Sequence, residues 1–245
     1  MTAAAFDSLP SAGALHVHEV VHLPVVSSTM DAAHARATLG APAGTLIVAD
    51  QQSAGRGRGG NVWESELGQG VWCTLVERPT DAAAVDVLSI RLGLAIAKAI
   101  EPFAEGPIAL KWPNDLYVGA SKLAGILVEA RWREGALDWV AIGIGINLTV
   151  PRHNSFAAAL RPGIARNDVL LQMIPAVRNV TKYHGILSHH EQDEWTARDY
   201  SVNRRVTAPV AGVVRGLERN GALRVEDDDG VVHELRAGSL IFATS

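Results

Sequence analysis

Apolar and polar positions alternate along residues 15–26 (LHVHEVVHLPVV), a spacing that predicts a strand ending near Pro24. The next segment, SSTMDAAHARATLG, carries helix signals: Ser28 or Thr29 to cap it, Asp31 in its first turn and Gly40 to end it. GTLIVAD over 44–50 predicts a short buried strand. Residues 51–62 form a Gly/Arg/polar loop without periodicity, and GVWCTLVER over 70–78 alternates as a strand. Apolar residues at helical spacing over 81–101 (Val85, Leu88, Leu92, Ala95, Ala99) predict a helix that Pro102 stops. Four strand candidates follow, IALKW, LYV, KLAGILVEARW and DWVAIGIGINL, and Pro151 closes that region. Residues 151–165 read as irregular and 166–199 as mostly helical, with Asn167 as a cap.

From Asn203 onward the texture changes. Short runs rich in Val and Leu are separated by Ala-Gly, Asn-Gly, Asp-Gly and Ala-Gly, which are hairpin signals. They predict a small β-barrel of about 40 residues. The expected organisation is a loose N-terminal tail over 1–14, an α+β domain over 15–200 built on a mixed β-sheet with flanking helices, and a small all-β domain over 203–245.

Composition narrows the function classes. The 245 residues carry a net charge of -4, which argues against a bulk electrostatic grip on nucleic acid. With one cysteine, Cys73, no intrachain disulfide can form, and a reducing cytoplasm is compatible. The first residues lack the basic start and apolar run of a signal peptide. No stretch approaches the roughly 18 uninterrupted apolar residues of a membrane span.

Three segments carry candidate chemistry. In Gln52-Ser53-Ala54-Gly55-Arg56-Gly57-Arg58-Gly59-Gly60-Asn61-Val62-Trp63, glycines let the backbone approach a ligand closely. Arg56 and Arg58 at alternate positions can fork onto a carboxylate or phosphate, and Trp63 offers a flat face to a ring. Taken alone, the run reads equally as a solvated turn. It is not a Walker loop, since no Gly-Lys-Ser/Thr follows.

The second segment is Lys111-Trp112-Pro113-Asn114-Asp115, followed by Lys122-Leu123-Ala124-Gly125-Ile126-Leu127-Val128-Glu129. Lys111 and Lys122 stand at the mouths of two strands, where both can face one anion. Gly125 within a strand marks a bulge or a close approach. An ordinary hairpin with solvated lysines fits the same residues. The third segment, Gly143-Ile144-Gly145-Ile146-Asn147-Leu148, strips one strand face of side chains, for a ligand or for close packing.

In this order and spacing the three segments resemble the biotin–protein ligase family, and the Ser28-Thr29 pair resembles that family's early Ser-Thr. The resemblance implies a catalytic domain like that of class II aminoacyl-tRNA synthetases, followed by an SH3-like β-barrel. It implies an ATP-dependent ligase that activates biotin as biotinyl-5'-AMP, with Mg²⁺ accompanying ATP. The biotin then passes to a lysine of a biotin carboxyl carrier protein or domain. By the same resemblance, Ser28, Thr29 and Gln52 meet the ureido head of biotin, with backbone from the Gly55 region and with Gly125 close by. Arg56, Arg58 and Lys122 meet the carboxylate and phosphate, and Lys111 a neighbouring anion site. Trp63, Asn114 and Asn147 meet adenine or ribose, and Asp115 helps position the incoming lysine or a metal.

The sequence departs from the family where Asn61 stands in place of a common Arg and Gly59 in place of Arg or His, which removes one anion contact. Only 14 residues precede the first predicted strand, so the winged-helix DNA-binding domain of many bacterial relatives is not expected, nor repression by that route. No dedicated metal cage, nucleic-acid partner or membrane contact is expected, and the chain is expected to be a monomer or homodimer. The glycine-rich loop, without apolar anchors, is expected to order on ligand binding. Two other functions fit the architecture: a lipoate or octanoate ligase or transferase, and a non-catalytic biotin-binding protein.

Overall fold

The computed structural model describes residues 8–151 and 156–243. Seven strands form a mixed sheet: β1 (Glu19–Val26), β2 (Thr45–Gln52), β3 (Gly70–Glu77), β4 (Ile108–Lys111), β5 (Asp115–Val118), β6 (Ser121–Arg133) and β7 (Ala136–Asn147). Their order is β1-β2-β3-β7-β6-β5-β4. Only β1 and β2 run parallel; the other neighbours are antiparallel. Pro24 sits within β1 without breaking it, because β1 is an edge strand and need not donate there.

The pleat divides side chains between two faces. On one, Trp72, Thr74 and Val76 stand opposite Gly145, Gly143 and Ala141, which in turn oppose Gly125, Leu127 and Glu129. Helix α1 (Thr29–Thr38) covers part of this face, with Met30, Ala33 and Ala37 packed among Ile47, Val76, Trp139 and Ala141. Ser28 caps α1, and Gly40 follows it at φ 90°, a left-handed turn that glycine enters without a Cβ penalty. The other face carries Cys73, Leu75, Ile142, Ile144 and Ile146. They share the larger core with α2 (Leu88–Ile100) and α3 (Arg166–Val180).

Several elements differ from the sequence expectation. The strand expected from residue 15 begins at Glu19. Leu15 owes its burial to a turn in which its N–H donates to Ser11 O at 3.1 Å. Residues 8–14, expected to belong to a loose tail, include Leu9 packed against the core and Ser8, whose carbonyl accepts from the Asn167 side chain at 3.0 Å. Residues 1–7 of that tail lie outside the described residues. Asn167 is therefore not the cap of α3; Ala165 holds that position without a side-chain bond.

The helix expected over 81–101 splits into a 3-10 turn at Ala82–Val85, capped by Asp81, and α2. The helical stretch expected over 166–199 breaks between α3 and α4 (His189–Arg198). There Ser188 and Glu191 form a capping box that starts a new helix.

The remaining strands, β8 (Arg205–Ala208), β9 (Gly212–Leu217), β10 (Leu223–Glu226), β11 (Val232–Leu235) and β12 (Ile241–Phe242), form a five-stranded antiparallel sheet ordered β11-β10-β9-β8-β12. It matches the small all-β module expected there. Among the described residues no helix is long and apolar enough to cross a membrane.

Candidate functional site

A cleft of about 320 Å³ opens on the α1 face of the large sheet. Its walls are the N-terminus of α1, the loop from Gln52 to Trp63, the glycines of β6 and β7, and Ser239 from the C-terminal module.

Part of the lining is neutral and hydrogen-bonded. The backbone N–H and hydroxyl of Thr29 both donate to Gln52 Oε1, at 2.8 and 3.0 Å. Thr74 donates to Thr29 Oγ1 at 2.8 Å, and Gln52 Nε2 donates to Ser65 Oγ at 2.7 Å. Two donors at one end of the amide and an acceptor at the other orient Gln52. The Ser28 hydroxyl accepts from Met30 N–H as a helix cap. Polar groups without formal charge suit a neutral head group that both donates and accepts.

The glycines of the floor make room for a side chain. A Cβ on Gly145 would come within 2.5 Å of the Trp63 indole, one on Gly125 within 2.8 Å, and one on Gly143 within 2.8 Å of the Met30 methyl. Trp63 therefore lies flush on the bare sheet, its ring edge-on to Trp72 at 6.3 Å. The loop expected to lack apolar anchors has one in Trp63. It doubles back through bridges between Gln52 and Ser65 and between Arg56 and Val62. Gly55 accepts from Trp63 N–H at 2.8 Å, and a Cβ there would lie 2.3 Å from Trp63 O. Asn61 closes the turn by donating its amide to Arg58 O at 2.9 Å, a local task for the residue that departs from the family.

Three of the four expected cations line the cleft: Arg56, Arg58 and Lys122. Lys122 pairs with Asp115 at 2.7 Å, its ammonium 5.1 Å from the Trp63 ring centroid. Arg56 bonds Asp31 at 2.8 Å and also Glu129. Arg58 donates to the Gly238 carbonyl at 2.5 Å, which ties the loop to the C-terminal module. Each cation is thus poised by an acceptor of the protein.

Lys111 does not line the cleft. It stands opposite Asp115 on the outermost strand, with its ammonium 5.6 Å from the Tyr117 ring and 5.2 Å from that of Phe242. Burial pushes its pKa below the usual lysine value; Asp115 opposes the shift, while Lys122 and Arg204 add to it.

Asn114 lines the cleft and is clamped to β6, its amide donating to Ile126 O at 2.7 Å. Asn147, expected at adenine or ribose, is buried and donates to Ala158 O at 2.9 Å. It faces a smaller adjoining pocket shared with Trp63 and Lys122. Sequence reasoning missed Met30, Leu127 and Ser239. Met30 and Leu127 are apolar residue types that carry no chemistry of their own, and nothing local marks Ser239. Burial pushes the Cys73 thiol up to about 12, so it stays protonated and offers no nucleophile. Among the described residues no cluster of three His, Cys, Asp or Glu is placed to hold a metal. Asp115 is the carboxylate lining the cleft itself.

A family model described as the biotin/lipoate A/B protein ligase family matches residues 22–147. The chain is 36% identical over 173 residues to the bifunctional ligase/repressor BirA of Bacillus subtilis (strain 168), covering 70% of this chain and 51% of that protein. It is 37% identical over 121 residues to the biotin–[acetyl-CoA-carboxylase] ligase of Mycobacterium tuberculosis (strain ATCC 25618 / H37Rv), covering 47% and 44%. In each case the match spans about half of the curated relative's length. Among solved structures, biotin protein ligase from Aquifex aeolicus in complex with biotin and ATP superposes with a TM-score of 0.75 at 25% identity, covering 93% of this chain and 100% of that one.

Proposed function

The chain belongs to the biotin/lipoate A/B protein ligase family, and on that footing we propose that it activates biotin with ATP and transfers it to a lysine of a biotin carboxyl carrier domain. The observation that carries this reading is that Arg56, Arg58 and Lys122 line one cleft together with the neutral, hydrogen-bonded pair Thr29 and Gln52.

A carboxylate must meet the α-phosphate of ATP for activation, and two anions repel. Fixed cations aimed at the meeting point offset that repulsion and stabilise the charge that develops there. A carboxylate oxygen of biotin attacks the α-phosphorus, the bond to the β-phosphate breaks, and pyrophosphate leaves. The lysine amine then attacks the acyl carbon, and AMP departs with the bonding electrons. No covalent enzyme intermediate is required, in keeping with the inert Cys73.

In this reading Ser28, Thr29 and Gln52 receive the ureido head, with the Gly55 backbone beside them and Gly125 in the floor. Arg56 and Lys122 hold the carboxylate and Arg58 the phosphate. Trp63 flanks adenine, with Asn114 and Asn147 toward the nucleoside. Asp115, paired with Lys122, is released when Lys122 turns to the anion, and it then orients the incoming amine. Mg²⁺ travels with ATP; a cleft with one carboxylate suits an ion held chiefly by phosphate and water. Lys111 sits one strand outward, where it adds positive field without direct contact.

The test is incubation with biotin, MgATP and a carrier domain, followed by intact mass. A biotin increment on the carrier is expected. No increment, with pyrophosphate exchange seen for lipoate and not biotin, would instead identify a lipoate ligase.

A further inference from the structure

Beside the cleft, a line of hydrogen bonds runs from the sheet to the glycine-rich loop. Trp139 of β7 donates its indole N–H to His34 Nδ1 of α1 at 3.0 Å. An indole nitrogen only donates, so Nδ1 accepts and the ring proton sits on Nε2. That N–H faces Glu129 Oε2 at 2.8 Å, which leaves Oε1 to the Arg56 guanidinium. The inner part of this line is shielded, with side-chain exposure of 12% at His34 and 20% at Glu129, against 38% at Arg56. Arg56 also touches Asp31, whose side chain is 55% exposed, and Arg131 approaches Glu129 Oε2 only to 3.9 Å.

We infer that His34 and Trp139 are positioning residues for Arg56: they fix the carboxylate of Glu129, which holds the guanidinium and with it the glycine-rich loop over the cleft. The terminal torsion of a glutamate is broad and two-fold, so Glu129 has no intrinsic orientation. His34 supplies one by occupying Oε2, and Trp139 supplies the tautomer that lets His34 donate. Without His34 the carboxylate turns to water, and Arg56 keeps only its exposed pair with Asp31, the weaker kind. The loop then spends less time in the binding arrangement. A ligand's apparent dissociation constant rises as that fraction falls, while turnover at saturation does not. The consequence for biotin rests on the ligase reading; the tether itself does not.

The experiment compares His34→Leu and His34→Gln in the full chain. Leucine keeps an apolar filler, whereas glutamine places an amide N–H where Nε2–H was. Amide hydrogen exchange over residues 53–62 is measured without ligand, and KM and kcat for biotin by pyrophosphate exchange. In His34→Leu the loop exchanges faster and KM for biotin rises about 5- to 10-fold, with kcat within about twofold; His34→Gln restores both. Loop exchange equal to wild type in His34→Leu, or no recovery in a folded His34→Gln, overturns the inference. If His34→Leu fails to fold, Glu129→Gln must show the same loosened loop. A wild type that gives no biotin-dependent exchange defeats the ligase reading, while the loop measurement still decides the tether.

Discussion

Gly145 and Trp63 share one volume: the indole lies where a side chain on Gly145 would be, 2.5 Å from an ideal Cβ. The alternation of glycine and isoleucine in β7 and the tryptophan at the end of the glycine-rich loop are therefore one device, a ring laid flush on a bare sheet.

Gly145→Ala must displace that ring. Overpacking of this kind costs about 1–3 kcal/mol, visible as a lower urea midpoint with a changed tryptophan emission spectrum. Because the ring flanks the proposed nucleoside site, ATP affinity should fall on the order of tenfold or more. An unchanged emission spectrum and unchanged ATP binding would contradict the arrangement.

Lys122→Ala separates chemistry from stability. The pair with Asp115 is partly open to solvent, at 31% and 18% side-chain exposure, so its loss should cost no more than about 1 kcal/mol. Biotin-dependent pyrophosphate exchange should fall about a hundredfold or more, the usual effect of removing a group that meets developing charge. Near-normal exchange in a stable variant would remove Lys122 from its assigned role.

Arg58→Ala cuts the bond to the Gly238 carbonyl, which binds the loop to the C-terminal module. A hydrogen bond from a charged donor contributes about 1.5–3 kcal/mol. Amides around residues 238–242 should exchange faster, and carrier labelling should be lost with them. Full protection of that turn would show that the bond holds nothing in place.

Lys111 has a pH signature. Burial lowers its folded pKa below the unfolded value of 10.5. As pH rises toward 10.5 the folded chain gives up this proton first, the unfolded chain binds more protons, and stability rises across that window. Lys111→Met should be at least as stable as wild type at neutral pH and should lack the alkaline rise in urea midpoint. Identical pH profiles for the two proteins would show that the burial carries no such penalty.

Much of the architecture was legible because its causes are local. The cap at Ser28, the stop at Gly40 and the turn glycines of the C-terminal module each depend on a few neighbouring residues. The order of the three motif segments also pointed to Arg56, Arg58 and Lys122, which line the cleft.

What the chain determines by itself is which short segments become strand, helix or turn, and which carry charge. Tertiary structure alone decided that Lys122 enters the cleft while Lys111 stays one strand outside it, that Trp63 fills the glycine face, and that Gly238 holds Arg58 across 180 positions. Strand order and register set these meetings. A propensity acts over a few residues, whereas a register is settled by the burial of the whole sheet against its helices.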